Sequence, residues 1–195
     1  MSRITHPRRL IMRKSVLLMC LVSSTLLFKL AHATPPSPYS GQESREIKAL
    51  SSEDVQAYLS GKGLGLAKAA ELNGYPGPSH VLALAGELGL TAKQKQRTQS
   101  LFKNMEVRAI SIGRPLVEEE HKLDQLFAQK KITPKLLNQS LARIGALQAQ
   151  VRGAHLEAHL AQTEILTQSQ VSKYMTLRGY SNTPGAEGPA GHKHH

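Results

Sequence analysis

The chain has 195 residues and a formal net charge of +11, with one cysteine and no tryptophan. This length favours one modest domain with appendages, and a single cysteine excludes a disulfide scaffold. Six basic residues and no acidic residue precede Ala33, which leaves 19 basic against 14 acidic residues and a net charge of +5 for the remainder. Without a basic run, that charge does not indicate nucleic-acid binding.

Residues 1–33 have the three parts of a bacterial secretory signal. A basic stretch ends at Arg13-Lys14, an apolar stretch runs from Val16 to Phe28, and Ala31-His32-Ala33 has the small-x-small cleavage pattern. The apolar stretch is shorter than the roughly 20 residues that a transmembrane helix needs. We therefore predict a signal peptide cut after Ala33 and a periplasmic mature protein. The alternative is an uncleaved N-terminal anchor.

The ends of the predicted mature chain have compositions typical of loops. Residues 34–50 are predicted to be a flexible leader, because they begin with several Pro and Ser residues. Residues 181–195 are rich in Gly, Pro and His, and we predict a disordered tail. The only cysteine, Cys20, lies in the apolar stretch, so the mature protein would have no thiol for catalysis.

Residues 51–74 are predicted to form two short helices. Ser51-Ser52-Glu53-Asp54 is a helix start, with hydroxyl caps followed by acidic residues that interact favourably with the helix dipole. That helix should end near Gly61. The second should run from Leu64 to Leu72 and end at Asn73-Gly74.

Residues 75–180 are predicted to form the main domain. A short helix begins at Pro78 and ends at Gly89. Thr91 caps a long helix that reaches about Gln129, and a second long helix begins at Thr133-Pro134 and reaches about Ile165. Thr167 caps a final short helix. No segment has the alternation of a strand, so the predicted fold class is all-α.

Apolar residues recur every three or four positions in both long predicted helices, which predicts one buried stripe on each. The first stripe contains Leu101, Phe102, Met105, Ala109, Ile112, Leu116, Leu123 and Phe127. The second contains Leu137, Leu141, Ile144, Leu147, Val151 and Ala158. Packed together, the stripes predict a long antiparallel helical hairpin. Glu118-Glu119-Glu120-His121 lies opposite the first stripe and is predicted to be a solvated face.

Two copies of the motif L-T-x-x-Q open the first long helix and the final short one. They consist of Leu90, Thr91 and Gln94, and of Leu166, Thr167 and Gln170. In each copy the threonine supplies a cap oxygen, and the glutamine can reach back to the amide of the capping residue. One copy resembles any capping box, whereas two copies separated by two long helices are much more specific.

With this arrangement the region from Pro78 to Tyr180 resembles the LTxxQ family of periplasmic proteins. This family includes the Spy and CpxP envelope-stress proteins, the zinc-resistance protein ZraP and the metal-sensor domain of CnrX. The resemblance implies a helical hairpin, usually dimeric, and a non-enzymatic role in envelope stress. We expect heavy-metal binding as a sensor or scavenger. The alternatives are an ATP-independent chaperone for unfolded envelope proteins, or a regulator of a membrane sensor kinase. The short helices before Tyr75 depart from the better-known members and leave the subfamily open.

His155 and His159 are the first candidate metal ligands. They are four residues apart on one face of the second long predicted helix, where they could share a zinc, copper or nickel ion. The alternative is a pair of surface histidines bonded to Glu157, Glu164 or water. Leu156 occupies the position where a zinc-protease signature requires Glu, so protease activity is not expected.

Further histidines extend the candidate set. His80, in the first turn of its predicted helix, would approach the pair if that helix packed across the two long ones. Its alternative is a structural histidine. The interrupted cluster at the C-terminus would be a weak, flexible metal collector. Its histidines are His192, His194 and His195.

Apolar residues outside the two stripes form a candidate surface for unfolded proteins or for a second copy of the chain. They are Ile110 and Val117 on the first long helix, and Leu156 and Leu160 on the second. Exposed apolar side chains among charged ones can bind partially unfolded chains. The alternative is that they contact the short helices.

Overall fold

A computed structural model of the protein describes residues 37–180. Within this range the secondary structure is helical without strands, which confirms the predicted all-α class. The helices are α1 (Ser52–Leu59), α2 (Lys68–Glu71), α3 (Pro78–Ala83), α4 (Ala92–Ala128), α5 (Pro134–Ile165) and α6 (Gln168–Leu177). None of these helices has the length and apolarity required to cross a membrane. The predicted signal peptide, the first leader residues and His192, His194 and His195 lie outside the described residues.

The two long helices, α4 and α5, pack against each other. Side chains meet at three levels: Thr98 with Gln162, Arg108 with Glu157, and Glu119 with Arg143. The start of α4 therefore lies beside the end of α5. The core between them contains Leu116, Ile144 and Val151, with partly buried apolar neighbours from both helices and from α1. Burial of this apolar seam stabilises the pair.

The short helices α3 and α6 form a second core at the end where α4 begins. Its buried residues are Val81, Leu88, Leu166, Val171 and Tyr174. Leu90 and Leu166, the leucines of the two motif copies, both belong to this cluster or pack against it. The motif leucines therefore have a packing role beside the caps that follow them.

Helix α1 approaches the backbone of α4 at Gly113. A Cβ atom on Gly113 would lie 2.3 Å from the carbonyl oxygen of Tyr58, so only glycine allows this approach. The segment before α1 is also attached to α4: Ile47 is buried, and Lys48 forms an ion pair of 3.3 Å with Asp124. The predicted flexible leader, residues 34–50, is thus held in place in its second half.

Two predicted short helices are shorter than expected. The helix expected from Leu64 begins only at Lys68, because Leu64 and Gly65 have φ angles of 46° and 75°, which no α-helix accommodates. The helix that begins at Pro78 ends at Ala83 and is followed by turns up to Gly89. Both short helices nevertheless occur in the predicted order, between α1 and α4.

The predicted stripes are correct in the middle of the long helices and wrong at the distal end. Ala109 and Leu116 are buried on α4, whereas Phe127 is 50% exposed. On α5, Ile144 is buried but Leu141 is 51% exposed. Neither Phe127 nor Leu141 belongs to the core between the long helices, so a stripe of the predicted width is only partly covered near the turn between α4 and α5.

The predicted solvated face around Glu118 was wrong for two of its carboxylates. Glu119 and Glu120 are both buried. Glu119 is compensated by Lys122 at 2.8 Å and by Arg143 of α5 at 3.4 Å. Glu120 has no ion-pair or hydrogen-bond partner among residues 37–180, and burial raises its pKa.

Glu120→Gln is expected to stabilise the protein at neutral pH. A raised folded-state pKa means that ionisation of Glu120 costs stability, and this cost appears as the pH rises above the unfolded value of about 4.3. Glutamine removes the charge, so the variant should gain roughly 1 kcal/mol at pH 7 and lose the advantage near pH 4. Urea unfolding at several pH values measures this. The exposed Glu118→Gln is the matched control, and a pH-independent difference for Glu120→Gln would contradict the prediction.

Candidate functional site

Each copy of the motif closes a capping box. The hydroxyl of Thr91 accepts a hydrogen bond from the backbone N–H of Gln94, whose side-chain oxygen accepts one from the N–H of Thr91 at 3.0 Å. Thr167 and Gln170 repeat this arrangement at the start of α6, with 2.9 Å for the second bond. In both helices the motif residues therefore provide hydrogen-bond acceptors for backbone N–H groups of the first turn, which have no partner within the helix.

The two glutamines also bind each other, although 76 residues separate them. Nε2 of Gln94 donates to Oε1 of Gln170 at 2.8 Å, and Nε2 of Gln170 donates to Oε1 of Gln94 at 3.1 Å. Gln94 donates in addition to the carbonyl oxygen of Ile165, the last residue of α5. The motifs thus fasten the starts of α4 and α6 to the end of α5, which is a structural role.

A cleft of about 730 Å³ lies where the short N-terminal elements cross the long helices. It is lined by the loop 60–68, the start of α3, the first half of α4, the second half of α5 and the residues after α6. His80, His155 and His159 all line it. Three of the histidines singled out in the sequence, from α3 and α5, therefore share one cleft.

His155 lines the cleft and is 6% exposed. Its Nε2 atom is buried and has no hydrogen-bond partner. Burial, together with the nearby imidazole of His159, lowers the pKa of His155, so the neutral ring is favoured. Gly63 packs on this ring, with the position of an added Cβ 3.5 Å from Nδ1. A neutral imidazole with an unused nitrogen is the form that binds a metal.

His159 has one nitrogen engaged and the other packed closely against Gly77. Its Nδ1 lies 2.7 Å from the carbonyl oxygen of Tyr75, which can only accept, so Nδ1 carries a proton, and in the neutral ring Nε2 is the nitrogen with the lone pair. A Cβ on Gly77 would lie 3.0 Å from Nε2. Metal-binding histidines commonly donate their second N–H to a backbone carbonyl in this way.

Glu71 is the anchor of the cleft wall and was not identified from the sequence. Its buried carboxylate accepts hydrogen bonds from the hydroxyl of Tyr174 at 2.5 Å and from the N–H of Gly77 at 3.2 Å. Arg178 lies 3.4 Å from it. Burial and this carboxylate raise the pKa of Tyr174. Nothing near Glu71 in the sequence signals these partners, which come from α6 and from the loop before α3.

Two histidines border Glu71 as well. Nδ1 of His80 lies 3.5 Å from Oε1, and Nδ1 of His159 lies 3.7 Å from Oε2. The oxygens of Glu71 are already engaged, so this carboxylate positions the histidines instead of offering a free ligand. Within residues 37–180, no three His, Cys, Asp or Glu side chains converge into a ready metal site.

The apolar residues outside the stripes are covered to different extents. Leu160 is 53% exposed, whereas Leu156, Ile110 and Val117 are partly buried. Ile110 packs near Gly61, since a Cβ at that glycine would lie 3.2 Å from its Cγ1 atom. The loop after α1 therefore covers part of the surface that was expected to be free.

Comparison of the chain with protein-family models, with curated proteins and with solved structures found no match. The cleft and its buried histidine, His155, are therefore the features of the chain that bear on its function.

Proposed function

We propose that this protein is a non-enzymatic envelope protein that binds a divalent heavy-metal ion, as a sensor or scavenger. The observation that carries the proposal concerns His155, which lines the cleft and whose Nε2 atom is buried without a hydrogen-bond partner. An unsatisfied buried nitrogen is costly unless a ligand completes it. A metal ion is the ligand that a neutral imidazole suits best.

His159 supports the proposal because it follows His155 by one helical turn on α5. The hydrogen bond from its Nδ1 to Tyr75 holds the ring and leaves Nε2 for a metal. Two imidazoles suit zinc, copper or nickel. The thioether of Met105, which also lines the cleft, is a further soft donor. The proposal also includes export by the signal peptide and a dimer of helical hairpins, as the resemblance to the LTxxQ family implies.

Replacing His155 or His159 by Ala is expected to weaken binding of Ni²⁺ by roughly tenfold or more, and the double variant should bind none in the cleft. Gly77→Ala should also weaken it, because the added methyl group would lie 2.9 Å from Cε1 and 3.0 Å from Nε2 of His159 and would displace the ring. Isothermal titration and native mass spectrometry would report affinity, stoichiometry and oligomeric state together.

The background for this experiment is the full mature chain with the tail histidines replaced by Ala, so that His192, His194 and His195 contribute nothing. His121→Ala is the matched control, because this α4 histidine lies beside Gln125, outside the cleft. Unchanged nickel affinity in the His155 and His159 variants, with the fold intact by circular dichroism, would disprove the cleft as the metal site.

A second candidate function is an ATP-independent chaperone. It is favoured by the exposure of large apolar side chains, including Leu160 and Val107, on the outer faces of the long helices. Metal-free protein should then suppress aggregation of a denatured client, and Leu156→Ser with Leu160→Ser should weaken that activity. Equal suppression of aggregation by this double variant would argue against the chaperone function. If the double variant instead dissociates from dimer to monomer at concentrations where the unmodified protein is dimeric, the surface serves self-association.

A further inference from the structure

The cleft is much larger than a metal ion requires. Its volume of about 730 Å³ is in the range of pockets that bind small organic molecules, roughly 300–1,000 Å³. Two imidazoles occupy only two coordination positions of a divalent ion. The thioether of Met105 can supply one more, and no third His, Cys, Asp or Glu converges on them within the described part of the chain. The remaining positions must therefore come from outside the protein.

The rim of the cleft is cationic. Lys62 and Lys68 both line it, and neither ammonium group has a carboxylate partner among residues 37–180. The two carboxylates of the cleft are already paired, Glu71 with Arg178 and Glu106 with Lys103 at 2.9 Å. Uncompensated lysines repel a bare cation and attract an anion.

The loop between these lysines adds neutral donors. The backbone N–H groups of Gly63, Leu64 and Gly65 have no hydrogen-bond partner within residues 37–180. The side chain of Lys68 lies along this loop, with its Nζ atom 3.6 Å from the position of a Cβ on Gly65. Consecutive free N–H groups beside an ammonium group suit the oxygens of an anionic ligand.

The imidazoles of the cleft suit a metal ion, whereas the groups at its rim suit an anion. A single ligand that contains a metal ion and carries free carboxylates would match both sets of groups. We propose that the cleft binds its metal as a complex with a small polycarboxylate chelator, and not as a bare ion. The metal would complete its coordination with His155 and His159, and the outer carboxylates would face Lys62, Lys68 and the free N–H groups. This inference rests on the metal-binding function proposed above.

The test titrates the full mature chain, with its tail histidines replaced by Ala, with three probes. These are Ni²⁺ alone, citrate alone and the preformed Ni²⁺–citrate complex, which has a net negative charge. We expect the complex to bind about tenfold more tightly than Ni²⁺ alone. Lys62→Gln with Lys68→Gln should remove this preference and leave the affinity for Ni²⁺ equal or higher.

The matched control is Lys93→Gln with Lys95→Gln, which changes the net charge equally on an exposed part of α4 and should keep the preference. Binding of Ni²⁺ through His155 and His159 without any preference for the complex would overturn the chelate inference alone. Failure of both nickel probes would overturn the metal function as well. Citrate binding that is equally tight with and without nickel, together with no binding of Ni²⁺ alone, would overturn both.

Discussion

Glu71→Ala is expected to lower the free energy of unfolding by about 3 kcal/mol, because removing one partner of a buried charge cluster leaves the others uncompensated. The hydroxyl of the fully buried Tyr174 would lose its acceptor, and the guanidinium group of Arg178 would lose its counter-charge. The N–H of Gly77 would also lose its acceptor. Denaturant unfolding followed by circular dichroism measures the loss.

Two variants isolate the cause. Glu71→Gln keeps one acceptor oxygen and should cost less than the alanine variant, about 1–2 kcal/mol. Glu164→Ala removes an exposed carboxylate of α5 that has no ion-pair or hydrogen-bond partner among residues 37–180, and it should change stability by less than about 0.5 kcal/mol. A loss below about 1 kcal/mol for Glu71→Ala would show that the anchor is not structural.

Gly113→Ala is expected to destabilise the protein by about 2 kcal/mol, although alanine is the better helix former. The added Cβ would lie 2.3 Å from the carbonyl oxygen and 2.9 Å from the carbonyl carbon of Tyr58, and a backbone clash cannot be relieved by a rotamer change. Helix α1 would have to move away from α4. Chemical unfolding measures the loss, and faster amide exchange within Ser52–Leu59 would locate it.

Gly145→Ala is the matched control within α5. A Cβ atom at this position would meet nothing within 4 Å, so the substitution should show the intrinsic helix preference and stabilise by about 1 kcal/mol. The two substitutions are chemically identical and are expected to act in opposite directions. Similar stabilisation by both would mean that α1 is not held at Gly113.

The features that could be predicted are those encoded by neighbouring residues. Thr91 and Gln94, like Thr167 and Gln170, form their caps within one helical turn, and Pro134 begins α5 as expected. A capping box and a proline at the first helical position depend on spacings of a few residues. Both long helices were therefore located to within about a residue or two of their ends.

The features that could not be predicted depend on distant partners. Glu119 is buried because Arg143 reaches it from α5, and Glu71 is buried because Tyr174 is supplied by α6. Nothing in the spacing of either glutamate distinguishes it from an exposed one such as Glu118. The shared cleft of His80 and His159 likewise required the loop after Tyr75 to cross α5, which no local pattern encodes.

The mutual amide bonds of Gln94 and Gln170 bear on which side chain the third helical position tolerates. A glutamate there closes a capping box as well as a glutamine does. Here, however, each side-chain oxygen faces the NH₂ group of the opposite residue. A carboxylate in either copy would bring two acceptors together. It would also delete a donor, to the carbonyl oxygen of Ile165 in the first copy and to that of Leu88 in the second. The contact between the copies therefore requires an amide in both, and a change of both residues to glutamate would leave two carboxylates facing each other.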